Sequence, residues 1–319
     1  MSELRIHAAA SLRCQNACLF CMEFDARTGR RLGAGAAPGL AFLTPERLLA
    51  RLAPEHRSLP VLFTGGEPTL NPHLPDLIRA LRERGFRGTG LQTNGRRLAD
   101  PAFAIKLARA GLSRVSISLH GSSAAVHDAM TRAPGSWART WRGLQVVLAL
   151  KRRWPWLRVS TATTVAAPNL ADLAPLLSRL LALPGLDVVV LNPLSLEGNA
   201  VRHFESLAVR FRDLAAAFSS ARLALSRAGA RDLERVTWTD FPPCVMGGAP
   251  SHVGTFERVL LIAPTGPARL LAPKLWFEGA KGPSCAGCAR ESSCTGVAPR
   301  YAARFGWEEF RAVRAGADG

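Results

Sequence analysis

Residues 14–21 read CQNACLFC and bring three cysteines, Cys14, Cys18 and Cys21, into one short segment. Three thiolates on a tight loop can each hold one iron of a cubane cluster, which leaves the fourth iron without a protein ligand. The usual four-cysteine ferredoxin site has no such opening. The spacing therefore indicates an iron–sulfur cluster with one iron open to a substrate or cofactor.

Three other interpretations of these cysteines compete with the open cluster. A disulfide framework is disfavoured, because Cys14 and Cys18 are too close together to leave Cys21 a sensible partner and nothing indicates secretion. A zinc site wants four ligands, and the candidate for the fourth, His7, falls in a predicted strand. Inert buried thiols are the last alternative, since unpaired cysteine is often buried.

The length and composition favour one large domain with a smaller appendage. The chain has 319 residues, of which 48% are hydrophobic, enough for a sizeable core. No apolar run is long enough to span a membrane, and the first residues lack the pattern of a signal peptide. We therefore expect a cytoplasmic protein without a membrane partner, and a reducing compartment suits seven cysteines used for metal.

The chain is strongly basic, with 41 Lys and Arg against 24 Asp and Glu and a net charge of +17. Such a charge favours polyanions or acidic peptides as partners. The basic residues are scattered along the sequence, however, and no platform of interleaved aromatic residues for nucleic acid is evident. Nucleic acid is therefore an alternative partner that the sequence disfavours.

Short apolar runs alternate with amphipathic stretches from residue 4 to about 193, which predicts repeated βα units. The predicted fold class is α/β: a partial (β/α)6 barrel of the TIM type, with chemistry at the carboxyl ends of its strands, and a small C-terminal α+β domain. A doubly wound sheet is the alternative, but its Gly-rich phosphate turn is absent after the first strand. The predicted strands are 4–8, 61–64, 88–92, 114–119, 158–165 and 187–191, and the predicted helices are 45–54, 72–85, 97–110, 136–152 and 169–182.

The pattern changes after a long helix predicted over about 204–228. Short strands are predicted at 236–238, 258–262 and 268–271, the last two as a hairpin, and a final helix at about 299–314. We predict a barrel domain over 1–232 and a C-terminal domain over 233–319. The low-complexity segment 28–40 is expected to form a mobile loop beside the cysteines.

A second motif, Gly65-Gly66-Glu67-Pro68, follows the second predicted strand. Two glycines at the tip of a strand let the backbone approach a ligand closely. Glu67 adds a carboxylate and Pro68 stiffens the turn. Because this motif follows the three-cysteine loop by about 45 residues, the chain resembles the radical S-adenosylmethionine (radical SAM) enzymes over roughly residues 1–195.

The resemblance implies a [4Fe–4S] cluster on the three cysteines, with S-adenosylmethionine chelating the open iron. Reductive cleavage of S-adenosylmethionine then gives a 5′-deoxyadenosyl radical that abstracts hydrogen from the substrate. An external electron donor such as a flavodoxin or ferredoxin is implied as a partner. For His120, a role facing the substrate and a role in structural hydrogen bonding are equal alternatives. The cofactor contacts that the resemblance implies are Phe20, Gly65, Gly66, Glu67, Pro68, Thr93, Asn94, Ser118, Thr164 and Asn192.

The other cysteines are Cys244, Cys285, Cys288 and Cys294, a set whose count suits one further metal centre. Zinc held by four thiolates fits that count, and so does a second [4Fe–4S] cluster. The segment around the last three resembles the C-terminal auxiliary-cluster domains of radical SAM enzymes, of the twitch or SPASM-like type, which favours the cluster. Ligation by all four thiols would close this cluster, whereas without Cys244 one iron would stay open.

The resemblance implies an oxidoreductase-type radical SAM enzyme that acts on a peptide or a small molecule. It makes oxidative modification of a ribosomally made peptide our first hypothesis, since an auxiliary cluster can take the second electron of a net oxidation. The alternative is a dehydrogenase or rearrangement enzyme for a small molecule or nucleotide. A non-catalytic, zinc-bearing RNA-binding module is a remote alternative, because it leaves both N-terminal motifs unexplained. Tyr301 is expected to be a structural anchor rather than a radical relay.

Overall fold

The computed structural model describes residues 4–23, 28, 40–229, 233–239, 241–245, 258–271, 279–292, 294 and 296–314. The predicted loop over 28–40 lies outside these ranges, apart from its first and last residues. None of the helices in these ranges is long and apolar enough to cross a membrane.

The described strands form one mostly parallel sheet. They are β1 (Leu4–Ser11), β2 (Val61–Gly65), β3 (Thr89–Thr93), β4 (Arg114–Ser118), β5 (Arg158–Val165), β6 (Val188–Pro193), β7 (Val236–Trp238), β8 (Arg258–Ile262) and β9 (Arg269–Leu271). Their order across the sheet is β7-β6-β5-β4-β3-β2-β1-β8-β9, and only the β8–β9 pair is antiparallel.

This strand order confirms the predicted α/β partial barrel. From β1 to β7 each strand pairs with the next one in the chain, so the winding never reverses. A doubly wound sheet reverses its winding at a switch point, so that alternative is wrong. The carboxyl ends of the parallel strands lie at one edge of the sheet, which is where barrel enzymes hold their sites.

Helices connect the strands, and the predicted βα alternation holds throughout the first six units. The helices are α1 (Pro45–Leu49), α2 (Leu74–Glu83), α3 (Pro101–Ala110), α4 (Ala124–Thr131), α5 (Ser136–Leu150), α6 (Leu173–Leu181), α7 (Asn199–Arg202), α8 (Phe204–Leu207), α9 (Phe211–Arg227) and α10 (Pro299–Phe305). Their apolar faces pack on the sheet: Leu77 and Ile78 of α2 are fully buried in the same cluster as Phe63 of β2. Burial of each such side chain stabilises the fold by about 1.5–3 kcal/mol.

Several predicted helix boundaries are wrong, two of them for a local reason. The helix predicted over 97–110 starts only at Pro101, because the Asp100 side chain accepts from the Ala102 amide and caps the helix there. The helix predicted over 299–314 ends at Phe305, where Gly306 turns the chain at φ 75°. The helix predicted over 204–228 is interrupted between α8 and α9, and α4 was not predicted at all.

The strands of the C-terminal part extend the barrel sheet. β8 pairs in parallel with β1 on the side opposite β2, and β9 forms the predicted hairpin with β8. β7 extends the other end of the sheet beside β6. The sheet therefore crosses the predicted boundary between 1–232 and 233–319, and that division into two domains stays a prediction.

Tyr301 joins the C-terminal helix to the start of α9. Its side chain is buried, its hydroxyl accepts from the Phe211 amide at 2.6 Å, and the same hydroxyl donates to Glu309 Oε1 at 2.5 Å. Burial and the Glu309 carboxylate raise the pKa of Tyr301 above its ordinary value. These contacts favour the anchor that the sequence predicts.

Replacing Tyr301 with phenylalanine is expected to lower the free energy of unfolding by about 1–3 kcal/mol, because the Phe211 amide loses its buried acceptor. Denaturant unfolding of the two proteins measures this difference. Trp156→Phe, at a side chain that is 63% exposed, is the control and should change stability by no more than about 0.5 kcal/mol. If the Tyr301→Phe protein were as stable as wild type, the proposed role of Tyr301 as a structural anchor would be contradicted.

Candidate functional site

The three-cysteine loop follows β1 at the carboxyl edge of the sheet and is fixed by backbone hydrogen bonds on two sides. On one side, the Gly66 amide donates to Ser11 O and the Glu67 amide donates to Arg13 O, both at 2.7 Å. On the other side, the loop amides of Ala17 and Leu19 donate to the last residues of α4, each at 3.0 Å. The loop is therefore built into the barrel edge rather than attached at its ends alone.

Cys14, Cys18 and Cys21 are all half-buried, and none of the seven cysteines, all of which the structure describes, forms a disulfide. Cys14 Sγ accepts from the Asn16 amide at 3.4 Å and from Asn94 Nδ2 at 3.9 Å. Hydrogen bonds to sulfur are one of the means by which proteins tune iron–sulfur clusters. Accessible thiols beside such donors suit a cluster.

A single metal ion and a multi-iron cluster require different arrangements of ligands. Across the described ranges, no three His, Cys, Asp or Glu side chains converge as a site for a single metal ion requires. Zinc draws its four ligands around one centre, whereas a cubane needs only one thiolate on each iron. The cluster on the three thiols stays a prediction, and burial lowers the pKa of His7, the candidate fourth zinc ligand, to about 4.

The two glycines of the second motif are required by backbone packing. Gly65 has φ 108°, a conformation that favours glycine. A Cβ on Gly66 would meet the Arg13 carbonyl oxygen at 2.5 Å. The motif thus lies directly against the segment that leads into Cys14.

The side chain of Glu67 has a structural position that the sequence did not predict. It is 1% exposed, and its carboxylate accepts four hydrogen bonds: from the amide and hydroxyl of Thr69, the hydroxyl of Thr93 and the amide of Asn94. Burial raises the pKa of Glu67, and these four bonds oppose the rise. The carboxylate therefore holds the loops after β2 and β3 together, and a cofactor contact from the Gly65–Pro68 motif stays a prediction.

Asn94 links Glu67 to the cysteine loop. Besides donating to Glu67 and to Cys14 Sγ, Asn94 accepts at Oδ1 from Gln15 Nε2 at 3.4 Å and from the Arg96 amide at 3.1 Å. Thr93 is buried, and its hydroxyl donates to the Glu67 carboxylate and accepts from the Gly95 amide. Asn94 is thus the residue of the pair that reaches the thiols.

The predicted cofactor residues on β4, β5 and β6 lie near the carboxyl ends of their strands. Ser118, Thr164 and Asn192 are all half-buried. Thr164 and Asn192 are direct partners in the β5–β6 register, so their side chains share one face of the sheet. The Asn192 side chain contacts the Thr239 hydroxyl. Their role toward a cofactor stays a prediction.

Phe20 packs against a pair of buried histidines. Its ring lies 4.6 Å from the ring of His120 in a T-shaped arrangement, and His120 stacks on His127 at 5.8 Å. The His120 amide donates to His127 Nδ1, and His120 Nδ1 accepts from the Thr164 amide. Burial lowers the pKa of both rings, that of His127 to about 4, so both are neutral at pH 7. These contacts favour the structural role for His120.

The second set of cysteines lines one cavity in the C-terminal part of the chain. Backbone amides donate to two of the thiols at 3.3 Å: Gly296 to Cys294 and Val313 to Cys288. Burial raises the pKa of the Cys244 thiol, while a backbone hydrogen bond from Arg311 lowers it. The fold thus places all four thiols at one cavity, although Cys244 is distant in sequence from the other three. The residues that line the cavity are Cys244, Cys285, Cys288, Cys294, Pro243, Lys281, Ser284, Arg290, Glu291, Phe310, Arg311 and Val313.

Two residues that support the cysteine loop were not predicted. Arg96 Nη1 donates to the Gln15 carbonyl at 3.1 Å and to Asn16 Oδ1 at 2.7 Å. Asn199 lies at the start of α7. Its backbone N–H donates to Cys21 O and its side-chain Nδ2 donates to Cys18 O, both at 2.9 Å. Asn199 lies 181 residues beyond Cys18, and no local pattern in the sequence predicts a contact between them.

Comparisons with known proteins agree with this geometry. Residues 10–170 match the Radical SAM superfamily. The chain is 42% identical over 76 residues to a "Probable GTP 3',8-cyclase" of Saccharolobus islandicus, across 24% of each chain. A protein of the same name from Metallosphaera sedula is 39% identical over 109 residues, which cover 34% of this chain and 31% of that protein. The match thus spans about a quarter to a third of these relatives.

Two solved structures share the fold over most of the chain. The structure described as native anSMEcpe with bound AdoMet and Kp18Cys peptide has a TM-score of 0.62 at 13% identity, covering 93% of this chain and 89% of that one. HemN of Escherichia coli, a coproporphyrinogen III oxidase described as a radical SAM enzyme, has a TM-score of 0.53 at 12% identity, covering 86% and 65%. At these identities the likeness concerns the fold.

Proposed function

Because the chain belongs to the radical SAM superfamily, we propose that Cys14, Cys18 and Cys21 hold the cluster at which it cleaves S-adenosylmethionine. The observation that carries this proposal is the half-buried cysteine loop, bonded to the Gly65–Pro68 motif at the carboxyl edge of the sheet. When bound, the [4Fe–4S] cluster and S-adenosylmethionine supply an adenosyl radical for hydrogen abstraction.

The residues around the loop supply rigidity and donors. Arg96 and Asn199 hold three of the loop's carbonyl groups, including those of Cys18 and Cys21. Glu67 holds Asn94, which donates to Cys14 Sγ. A loop fixed at this many points keeps the thiols pre-positioned, which is how a protein contributes to cofactor chemistry.

We propose Phe20, Ser118, Thr164 and Asn192 as the side chains that line the cofactor cavity, because they lie half-buried at the same carboxyl edge. The backbone of the Gly65–Pro68 motif belongs with them. Glu67 and Thr93 act in this proposal through Asn94, as positioning residues.

For the substrate we keep oxidative modification of a peptide as the first proposal. Supporting it is the four-thiol cavity, which suits an auxiliary cluster able to accept the second electron. The structure with the 0.62 TM-score contains a bound peptide, and its likeness extends over the C-terminal part as well as the barrel. A nucleotide or other small molecule is the second proposal, supported by the partial relatives named GTP 3',8-cyclase and by the net charge of +17.

Anaerobic reconstitution followed by incubation with S-adenosylmethionine and dithionite tests the proposed cleavage. We expect about eight irons per chain and release of 5′-deoxyadenosine. If protein with a loaded cluster never released 5′-deoxyadenosine, the proposed cleavage activity would be refuted. Addition of GTP to one reaction and of candidate peptides to others, followed by mass spectrometry, distinguishes the two substrate classes.

The joint change Cys285→Ala and Cys288→Ala is expected to halve the iron content from about eight to about four irons. Cleavage of S-adenosylmethionine with dithionite should persist, because the N-terminal cysteines are untouched. Iron and zinc analysis, together with 5′-deoxyadenosine release, measures both effects. Wild-type protein with about four irons and one zinc would contradict the auxiliary cluster while leaving the cleavage proposal intact.

A further inference from the structure

Four exposed arginines lie on the three-cysteine loop or on segments next to it. We call them the arginine rim: Arg13, Arg97, Arg132 and Arg139. Ala17, between Cys14 and Cys18, is also exposed, so the loop itself reaches the surface within this rim. A partner that contacts Ala17 would lie close to the thiols.

The backbone of each rim arginine is placed near the loop by its own hydrogen bond or by that of a neighbouring residue, which for Arg139 acts through Asn94. Arg13 is in the loop segment, and its carbonyl accepts from Glu67. Arg97 follows Arg96, whose guanidinium holds the loop carbonyl of Gln15.

The other two arginines approach from α4 and α5. Arg132 follows Thr131, whose carbonyl accepts from the Ala17 amide at 3.0 Å. Arg139 precedes Thr140, whose hydroxyl donates to the Asn94 carbonyl at 2.8 Å. The rim residues therefore come from three connections: the segment after β1, the segment after β3, and the β4–β5 connection that contains α4 and α5.

The positive charge of the rim is not neutralised by the described part of the chain. None of its four guanidinium groups forms an ion pair there. Arg13 and Arg97 lie over the rings of Phe42 and Phe103, and Arg97 also donates to the Thr69 carbonyl oxygen at 2.6 Å, so both keep their positive charge. Three carboxylates of the neighbouring segments are used elsewhere: Asp128 caps α5, Asp100 caps α3, and Glu67 is buried. Four positive charges thus face solvent around one exposed loop.

We propose that the arginine rim is the docking surface for an acidic electron-donor protein. This inference rests on the proposed function, because cleavage of S-adenosylmethionine requires an electron from outside the chain. In the docking complex one electron leaves the reduced donor, which becomes oxidised by one electron, and enters the cluster, with no bond made or broken. Complementary charge steers such partners to the correct surface and accelerates their encounter.

The test compares two variants that remove the same charge. The rim variant carries Arg13→Gln, Arg97→Gln, Arg132→Asn and Arg139→Gln, with Asn chosen because residue 132 has φ 50°. The control variant carries Arg84→Gln, Arg109→Gln, Arg152→Gln and Arg179→Gln, all exposed at or just beyond helix carboxyl ends. Helices that run back between parallel strands end at the opposite edge of the sheet from the cysteine loop.

Stopped-flow absorbance measures reduction of the reconstituted cluster by flavodoxin hydroquinone, a strongly acidic donor, and separately by dithionite. At low ionic strength we expect the flavodoxin rate constant of the rim variant to fall about tenfold or more. The control variant should stay within about twofold of wild type, and added salt should narrow the difference between the proteins. With dithionite, reduction and 5′-deoxyadenosine release should be alike in all three.

Equal rate constants for reduction by flavodoxin in the rim and control variants would overturn the proposal that the arginine rim is the docking surface. A rim variant that loses only its retention on heparin would overturn it as well, because the rim would then be a polyanion site. If the fourfold change disturbs iron loading, Arg139→Glu alone, compared with Arg152→Glu, gives the same contrast. Wild-type protein that flavodoxin reduces but that never cleaves S-adenosylmethionine would refute the proposed function and leave the docking surface standing.

Discussion

Replacing Cys14, Cys18 and Cys21 with alanine together is expected to abolish release of 5′-deoxyadenosine and to leave about four of about eight irons per chain. All three thiols lie on one loop, so their removal takes every proposed protein ligand of the N-terminal cluster at once. We expect the remaining iron in the four-thiol cavity, which is lined by residues from Pro243 onward. Iron and sulfide analysis and chromatography of the reaction mixture give the two readouts.

The matched control for this variant is the double change at Cys285 and Cys288, which also removes thiols but only from the second cavity. The two proteins should show opposite losses: cleavage in one, and only auxiliary iron in the other. Residual cleavage by the triple variant at more than about a thousandth of the wild-type rate would mean that the reacting cluster is held elsewhere.

Replacing Glu67 with glutamine is expected to lower the free energy of unfolding by about 2–3 kcal/mol and to reduce cleavage of S-adenosylmethionine about tenfold. Glutamine has the same shape, but its amide nitrogen would face the Asn94 amide, which now donates to Glu67 Oε2 at 2.8 Å. Two donors would then meet in a site that is 1% exposed. Displacement of Asn94 would also weaken its contact with Cys14 Sγ.

Urea unfolding and 5′-deoxyadenosine release measure the two effects of this change. Glu83→Gln, at an exposed position at the end of α2, is the control and should alter neither quantity appreciably. A Glu67→Gln protein as stable and as active as wild type would mean that the carboxylate does not position the loop. Loss of stability with normal cleavage would separate the structural role of Glu67 from any effect on the thiols.

The fold was largely predictable because its signals are local. Each of the six predicted βα units combines an apolar run with an amphipathic stretch, and the structure contains a strand for every run. Predicted helix boundaries were wrong where a single residue ends the helix, as Gly306 does after α10. They were also wrong where a residue distant in sequence fixes the start of a helix, as Tyr301 does by accepting from the first amide of α9. α4 went unpredicted although Ser123 precedes it, because eight residues give a weak periodic signal.

The site was predictable at the level of its motifs and less so in its individual roles. The cysteine loop and the Gly65–Pro68 motif are contiguous, so their spacing could be recognised in the sequence. The destination of the Glu67 carboxylate depends on Thr93 and Asn94, 26 and 27 residues away. Asn199 depends on a contact across most of the barrel. Such partners are decided by tertiary packing, which the residue types alone do not specify.

The place of β1 between β2 and β8 has a consequence for how the protein is made on the ribosome. When residues 61–65 have emerged, β1 can pair on one side only, and its other edge waits for Arg258–Ile262. An unpaired strand edge next to a loop with three free thiols favours aggregation. Nascent chains should therefore pass through a vulnerable interval lasting almost two hundred codons, and cells that translate this message slowly would depend most on chaperones to bridge it.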